Sequence, residues 1–222
     1  MSPALPAPRA ILFDLDGTLA DTAPDLAAAL NHLRLERGLP EASFASLRPH
    51  ASAGARGLIG AGLGITPDDA EYEALRLAFL AQYERALAVH SRLFEQVPTL
   101  LQQLEARGLR WGVVTNKIAR FTLPLLPQIG LQHAQCVVCG DTTPHAKPHP
   151  APLHEAARQL DVPAAACWYV GDDLRDIEAA HAAGMASLAA AWGYCGKSAP
   201  QSWQAGAILQ QPLDLLDWLD LP

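Results

Sequence analysis

ILFDLDGTLADT, residues 11–22, begins as an apolar run and ends in two aspartates one residue apart, Asp14 and Asp16, followed at once by Gly17 and Thr18. In an extended segment, residues two apart point to the same side. Both carboxylates then share one face at the end of a strand, an arrangement that their mutual repulsion opposes. Something must compensate, and a bound cation is the first candidate.

Further apolar runs follow at RWGVVT (110–115), CVVC (136–139), CWYV (167–170) and ASLAAA (186–191), after AILF at 10–13. From the second run onward, the segments between them carry helical patterning. PTLLQQLEARG (98–108) has an apolar face and stops at Gly108, and PAPLHEAARQLDV (150–162) and DLRDIEAAHAAG (173–184) behave likewise. Strands alternating with helices predict an α/β fold, a Rossmann-like parallel sheet with helices on both faces.

About 90 residues between the first and second runs carry no strand signal. A helix is predicted from Thr22 as N-cap, through Pro24 and Asp25, to a stop at Gly38. A second long helix is predicted over 67–90, with Leu75, Phe79 and Tyr83 on one stripe and Leu87 nearby. Between them, ASAGARGLIGAGLG (51–64) contains five glycines and is expected to hold a flexible or tightly approaching loop. Residues 21–92 therefore read as an all-helical cap inserted into a core formed by 1–20 and 93–222, and the first eight residues as a loose tail.

Half of the 222 residues are hydrophobic and 18% are charged, which fits a globular protein and opposes disorder. The net charge of −7 argues against a nucleic-acid partner. No apolar run approaches the roughly 20 residues of a membrane span. MSPALPAPRA lacks the features of a signal peptide, so no membrane partner and a cytoplasmic location are expected. Cys136, Cys139, Cys167 and Cys195 sit mostly in apolar runs and read as small core residues without disulfides.

In doubly wound sheets ligands bind at the carboxyl ends of strands, and the polar signals collect there. Asp14 and Asp16 follow the first run, and Thr115, Asn116 and Lys117 the second. Lys147 lies after the third, and Asp172 and Asp173 follow the fourth with Asp176 one helical turn on. An isolated GDD is more often a helix cap than a ligand. Together these residues describe a pocket with carboxylates on adjacent strand ends, a lysine, and hydroxyl and amide donors.

The set DLDGT (14–18), VVTN (113–116), AKP (146–148) and GDDLRD (171–176) resembles the four motifs of the haloacid dehalogenase superfamily. Order and spacing fit its phosphatase branch, with a helical cap inserted after the first motif. ERGLP, SAGAR, FLAQYERALAVHSRLF, WGVVTNK and VGDDLRDIEAA are similar to the phosphoglycolate phosphatase group, and especially to the N-acetylmuramic acid 6-phosphate phosphatases.

That resemblance implies a Mg²⁺-dependent phosphomonoesterase. Its substrate would be a small carboxylate-bearing ester, N-acetylmuramic acid 6-phosphate or 2-phosphoglycolate. Asp14 would be the nucleophile, forming an aspartyl-phosphate. Asp16 would protonate the leaving alkoxide and then take a proton from water. The metal would be held by Asp14, the backbone carbonyl of Asp16, and Asp172, with Asp176 orienting them. Lys147 would pair with Asp14 and the phosphate. Thr115 and Asn116 would donate to the transferring group, and Lys117 would reach the phosphate.

Asp173 is expected either behind the ligands or as a helix N-cap, and Thr18 is expected to position Asp16. Arg56, in SAGARGL, would bind a substrate carboxylate bidentately, or else be a solvated surface arginine. His50 reads as a structural histidine or a further cap contact, and Trp192 and Tyr194 as packing residues. His149 stands where the family often has aspartate (KPHP for KPDP). Asp16 argues against carbon–halogen cleavage, because a halide leaving group needs no proton. A phosphomutase would share the motifs, and a non-catalytic binding protein of the same fold would be expected to have lost one of them. The chain is expected to be a monomer or homodimer.

Overall fold

The computed structural model describes residues 5–196 and 198–220. AILF forms β1 (Ala10–Phe13), buried at every position, as a strand covered on both faces by helices requires. The chain crosses into the helical segment through β2 (Ala20–Asp21) and returns through β3 (Arg92–Leu93); the two pair antiparallel, Ala20 facing Leu93 and Asp21 facing Arg92. This ribbon was not expected from the sequence, since two residues per strand carry no periodicity.

The sheet is completed by β4 (Arg110–Val114), β5 (Val137–Val138), β6 (Cys167–Gly171), β7 (Ala186–Ala190) and β8 (Ala207–Leu209). Its order is β5-β4-β1-β6-β7-β8, parallel throughout. β8 is an addition to the expected set. Because β1 pairs on one side with β4 and on the other with β6, the direction of winding reverses at β1. A crevice opens at such a switch point, and Asp14, Thr115 and Asp172 are the residues immediately after β1, β4 and β6.

The helical segment comprises α1 (Ala23–Glu36), α2 (Phe44–Leu47), α3 (Gly54–Leu63) and α4 (Tyr72–Arg85). Helix α1 packs on both α3 and α4. The glycine-rich stretch expected to hold a loop is instead mostly helical, a 3₁₀ turn over Arg48–Ala53 leading into α3. Gly62 serves close approach: a Cβ there would lie 2.2 Å from Leu30 Cδ2 of α1. Helix α4 is shorter than the expected 67–90, and Leu75, Phe79 and Tyr83 are its buried stripe.

Thr22 stands at the N-cap position of α1, as expected, but its side chain does not cap the helix. Tyr194 does so from far along the chain, its hydroxyl accepting from the amides of Thr22 (2.8 Å) and Ala23 (2.9 Å) and donating to Asp21 Oδ1 at 3.0 Å. The residue expected to pack therefore orders the entry to the helical segment.

The remaining helices α5 (Val97–Ala106), α6 (Ala119–Gln128), α7 (Ala151–Gln159), α8 (Leu174–Ala183) and α9 (Asp214–Leu219) complete the α/β order. Part of the expected loose tail is docked, with Trp168 Nε1 donating to the Pro6 carbonyl at 2.8 Å; residues 1–4 lie outside the described residues. All four cysteines are free, and Cys136, Cys139 and Cys167 are buried.

Candidate active site

A cleft of about 330 Å³ lies between the carboxyl edge of the sheet and the helical segment. Its floor is the DLDGT loop. Gly17 takes φ +91°, and a Cβ there would lie 2.2 Å from Asp172 Oδ2, so only glycine lets β1 and β6 bring their aspartates this close. Gly193 closes the other side of the same carboxylate, where a Cβ would lie 2.2 Å from Asp172 Cβ. No local signal marked Gly193, because the constraint comes from another strand.

Carboxylate oxygens of Asp14, Asp172 and Asp176 lie within 4.8 Å of one another, and all three residues are buried. Lys147 Nζ reaches Asp14 Oδ1 at 2.8 Å and Asp176 Oδ1 at 2.7 Å. The Val114 carbonyl (3.0 Å) and Tyr169 hydroxyl (2.6 Å) complete its surroundings. Tyr169, in the apolar run CWYV, offered no sign of this position beyond its place near the end of a strand.

Among the described residues, Asp172 accepts only from neutral donors, the Thr18 hydroxyl at 3.0 Å and the Tyr194 amide at 2.8 Å. Burial pushes the Asp14 carboxyl up to about 7 against the pull of Lys147. Burial, followed by Asp14 and Asp176, pushes Asp172 well above the ordinary carboxylate range. Burial works to lower the Lys147 ammonium, but Asp14 and Asp176 outweigh it and raise it. Three carboxyl groups share one ammonium, so the cluster holds protons until a cation takes their place. Its donors are hard oxygens, which suit a divalent cation such as Mg²⁺.

Asp16 lies apart from this cluster. Its Oδ1 accepts from Lys117 Nζ at 2.9 Å and from the Thr22 hydroxyl, an engagement of the side chain only, whereas the expected ligand atom is the backbone carbonyl. The expected partner Thr18 serves Asp172 instead, and Thr22, expected as a cap, serves Asp16. Both threonines change partner because the loop doubles back, the Gly17 amide donating to the Ala20 carbonyl at 2.9 Å.

The other expected residues divide similarly. Thr115 is buried at the cleft, and its hydroxyl oxygen accepts from the Lys117 amide at 3.1 Å. Asn116 clamps the Lys147 backbone from both ends of its amide, each bond 2.9 Å. Of the two expected possibilities Asp173 takes the second: it is the N-cap of α8, in a reciprocal capping box with Asp176, and it also lines the cleft. Burial works to raise Asp173, while the Arg175 guanidinium holds it below the ordinary value.

Arg56 is exposed on α3 and is not among the residues lining the cleft, nor is His50. The arginines that do line it are Arg76 on α4 and Arg175 at the start of α8, neither of which stood out in the sequence. Arg175 Nη2 donates to the Ser52 carbonyl at 2.8 Å, bridging sheet and helical segment. Trp192 donates from its indole to the Thr18 carbonyl at 2.9 Å, so it braces the aspartate loop. His149 accepts from the Ala151 amide at 3.1 Å, within its own loop.

A family model described as haloacid dehalogenase-like hydrolase matches residues 11–190. A phosphoglycolate phosphatase of Xanthomonas campestris pv. campestris is 49% identical over 210 residues, 94% of this chain and 95% of that protein. An N-acetylmuramic acid 6-phosphate phosphatase of Pseudomonas putida is 42% identical over 214 residues, 96% of each. The crystal structure of a predicted phosphoglycolate phosphatase from Haemophilus somnus superposes with a TM-score of 0.84 at 29% identity, covering 96% of this chain and 98% of that one. The chain belongs to the haloacid dehalogenase-like hydrolases and is an enzyme of their phosphatase branch.

Proposed function

We propose that the chain is a Mg²⁺-dependent phosphomonoesterase that works through an aspartyl-phosphate. Its substrate is a small carboxylate-bearing ester, 2-phosphoglycolate or N-acetylmuramic acid 6-phosphate. The observation that carries this reading is the buried Asp14–Asp172–Asp176 cluster with Lys147 bonded to two of its members. A phosphate dianion is stable, so catalysis needs an in-line nucleophile and charge neutralisation.

Asp14 attacks phosphorus, and the bond to the leaving oxygen breaks as Asp16 supplies that oxygen with a proton. Water then attacks the aspartyl-phosphate, giving its proton to Asp16 and releasing phosphate and the Asp14 carboxylate. Lys147 holds the attacking carboxylate in place and offers positive charge to the phosphoryl oxygens. Thr115 and Asn116 supply uncharged donors to the same group. Lys117, bonded to Asp16 at 2.9 Å, keeps a further cation beside the phosphate. Thr18 holds Asp172, and Asp173 and Asp176 fix the first turn of α8. Mg²⁺ held by Asp14, Asp172 and the Asp16 carbonyl, with Asp176 beside them, would withdraw charge from the phosphoryl oxygens.

Residues 21–92 form the cap in this reading. Its apolar wall, including Phe79 and Leu80, excludes water from the reacting group. Among the described residues no helix is long and apolar enough to cross a membrane; action in the cytoplasm, as a monomer or homodimer, is part of the same proposal.

The test is kcat/KM for both esters with Mg²⁺ and after chelation, together with rapid-quench mass spectrometry of the Asp14 peptide. Metal-dependent release of phosphate and a transient phosphoryl group on that peptide are expected. Hydrolysis of neither ester, or a phosphoryl group on another residue, refutes the reading.

A further inference from the structure

Eight charged side chains line the cleft: Asp14, Asp16, Asp173, Asp176, Lys117, Lys147, Arg175 and Arg76. Seven of them pair within it, Lys147 with Asp14 and Asp176, Lys117 with Asp16, and Arg175 with Asp173. Among the described residues, Arg76 is the exception. Its ion partner is Glu73, one turn back on α4, outside the cleft and 62% exposed. An exposed pair of this kind contributes little, so the guanidinium can change partners at small cost.

Resting on the phosphatase reading above, we infer that Arg76 is a specificity-determining residue that binds a second anionic group of the substrate, far from the phosphate. The spacing comes from α4 itself. Arg76, Leu80 and Tyr83 lie on one face of that helix and all line the cleft. The Tyr83 ring is 4.9 Å from Lys117 Nζ, which holds Asp16, so Tyr83 marks the phosphate end. From Tyr83 to Arg76 the helix rises about 10 Å. Arg76 also leans away from Tyr83, since both Nε and Nη2 are bonded to Glu73.

That separation discriminates between substrates. A two-carbon ester places its carboxyl carbon three bonds from phosphorus, about 4 Å at covalent lengths. A sugar phosphate with a carboxylate-bearing ether on the far side of its ring has eight bonds between them, about 8–10 Å. Only the second kind spans from the phosphate site to Arg76.

A second observation concerns the space between. Ser52 Oγ is buried without a hydrogen-bond partner among the described residues, and Ser52 lines the cleft. A buried hydroxyl in a native protein calls for a partner. The cleft wall therefore combines apolar surface from Phe79 and Leu80 with an unpartnered hydroxyl, which matches a sugar ring with its carbon face and polar groups. A two-carbon acid has nothing to offer there. The substrate class is thus a phosphorylated amino sugar carrying an ether-linked carboxylate.

The test compares kcat/KM, with Mg²⁺, for three esters: N-acetylmuramic acid 6-phosphate, N-acetylglucosamine 6-phosphate (the same ring without the carboxylate) and 2-phosphoglycolate. Wild-type enzyme is expected to favour N-acetylmuramic acid 6-phosphate over 2-phosphoglycolate at least about tenfold, one charge-assisted contact's worth. In Arg76→Ala the preference for the muramic over the glucosamine ester is expected to fall about tenfold, mainly through KM, and Arg76→Lys should restore part of it. Preference for 2-phosphoglycolate, or equal losses on both sugar esters, overturns the inference while leaving the phosphatase reading intact. Activity on none of the three overturns both.

Discussion

The two walls of the cleft are built on opposite terms. On the sheet side the charged groups are locked: Lys147 has four partners, Asp172 is wedged between Gly17 and Gly193, and Asp173 and Asp176 cap a helix reciprocally. On the helical side the wall is apolar, with the Ser52 hydroxyl unpartnered among the described residues and an arginine whose partner is a surface residue. Groups that do chemistry must be preorganised, because any reorganisation is added to the barrier. Groups that recognise a substrate keep their hydrogen-bonding capacity unfilled until it arrives.

The largest effects should come from breaking the locked wall. Asp14→Asn is expected to lower kcat at least about 10³-fold, since an amide is no nucleophile towards phosphorus; single-turnover assays would check it. Lys147→Ala should lower kcat about 10²–10³-fold. It should also destabilise the protein by about 3–5 kcal/mol by leaving buried carboxylates unpaired, read from urea midpoints. A fully stable Lys147→Ala protein would break the contrast drawn here.

Next is pH. The raised folded values of Asp14 (about 7) and Asp172 mean that the metal-free folded state holds protons which the unfolded chain has released above the ordinary carboxylate value of 3.8. That stability is fully present below the ordinary value and is lost as pH rises through about 7. The urea midpoint of chelator-treated protein should fall across this window. Mg²⁺ should remove most of the fall in wild type and much less of it in Asp172→Asn.

The smallest effect should be at Arg56. Exposed and off the cleft, it can be replaced by alanine with less than about a twofold change in kcat/KM on any ester. A selective loss on carboxylate-bearing esters would return it to the recognition wall.

The locked wall was largely legible in the sequence, and its exceptions show why. Asp14, Thr115 and Asp172 could be placed because each directly follows an apolar run, and strand ends in a doubly wound sheet converge. Thr18 and Thr22 were both expected near the right place with the wrong partner, since a loop that doubles back cannot be traced from residue types. On the helical side, of the two expectations for Arg56 the solvated surface arginine is the one observed. SAGARGL drew attention to Arg56 through its glycines, but the glycine that lets α3 approach α1 is Gly62, and Arg56 stands exposed on the helix. Arg76 looked like any charged residue on a helix surface.

What the sequence determined alone is whatever short-range pattern controls. The α/β order, the strands that bury on both faces, and the residue types delivered to each strand end all follow from periodicity and adjacency along the chain. Tertiary structure decided which of those groups touch. Thr18 meets Asp172 across 154 residues, Tyr194 meets Thr22 across 172, and Arg175 meets Ser52 across 123. Such contacts depend on how a twisted sheet and four helices close on one another, and that geometry is fixed by packing over the whole core.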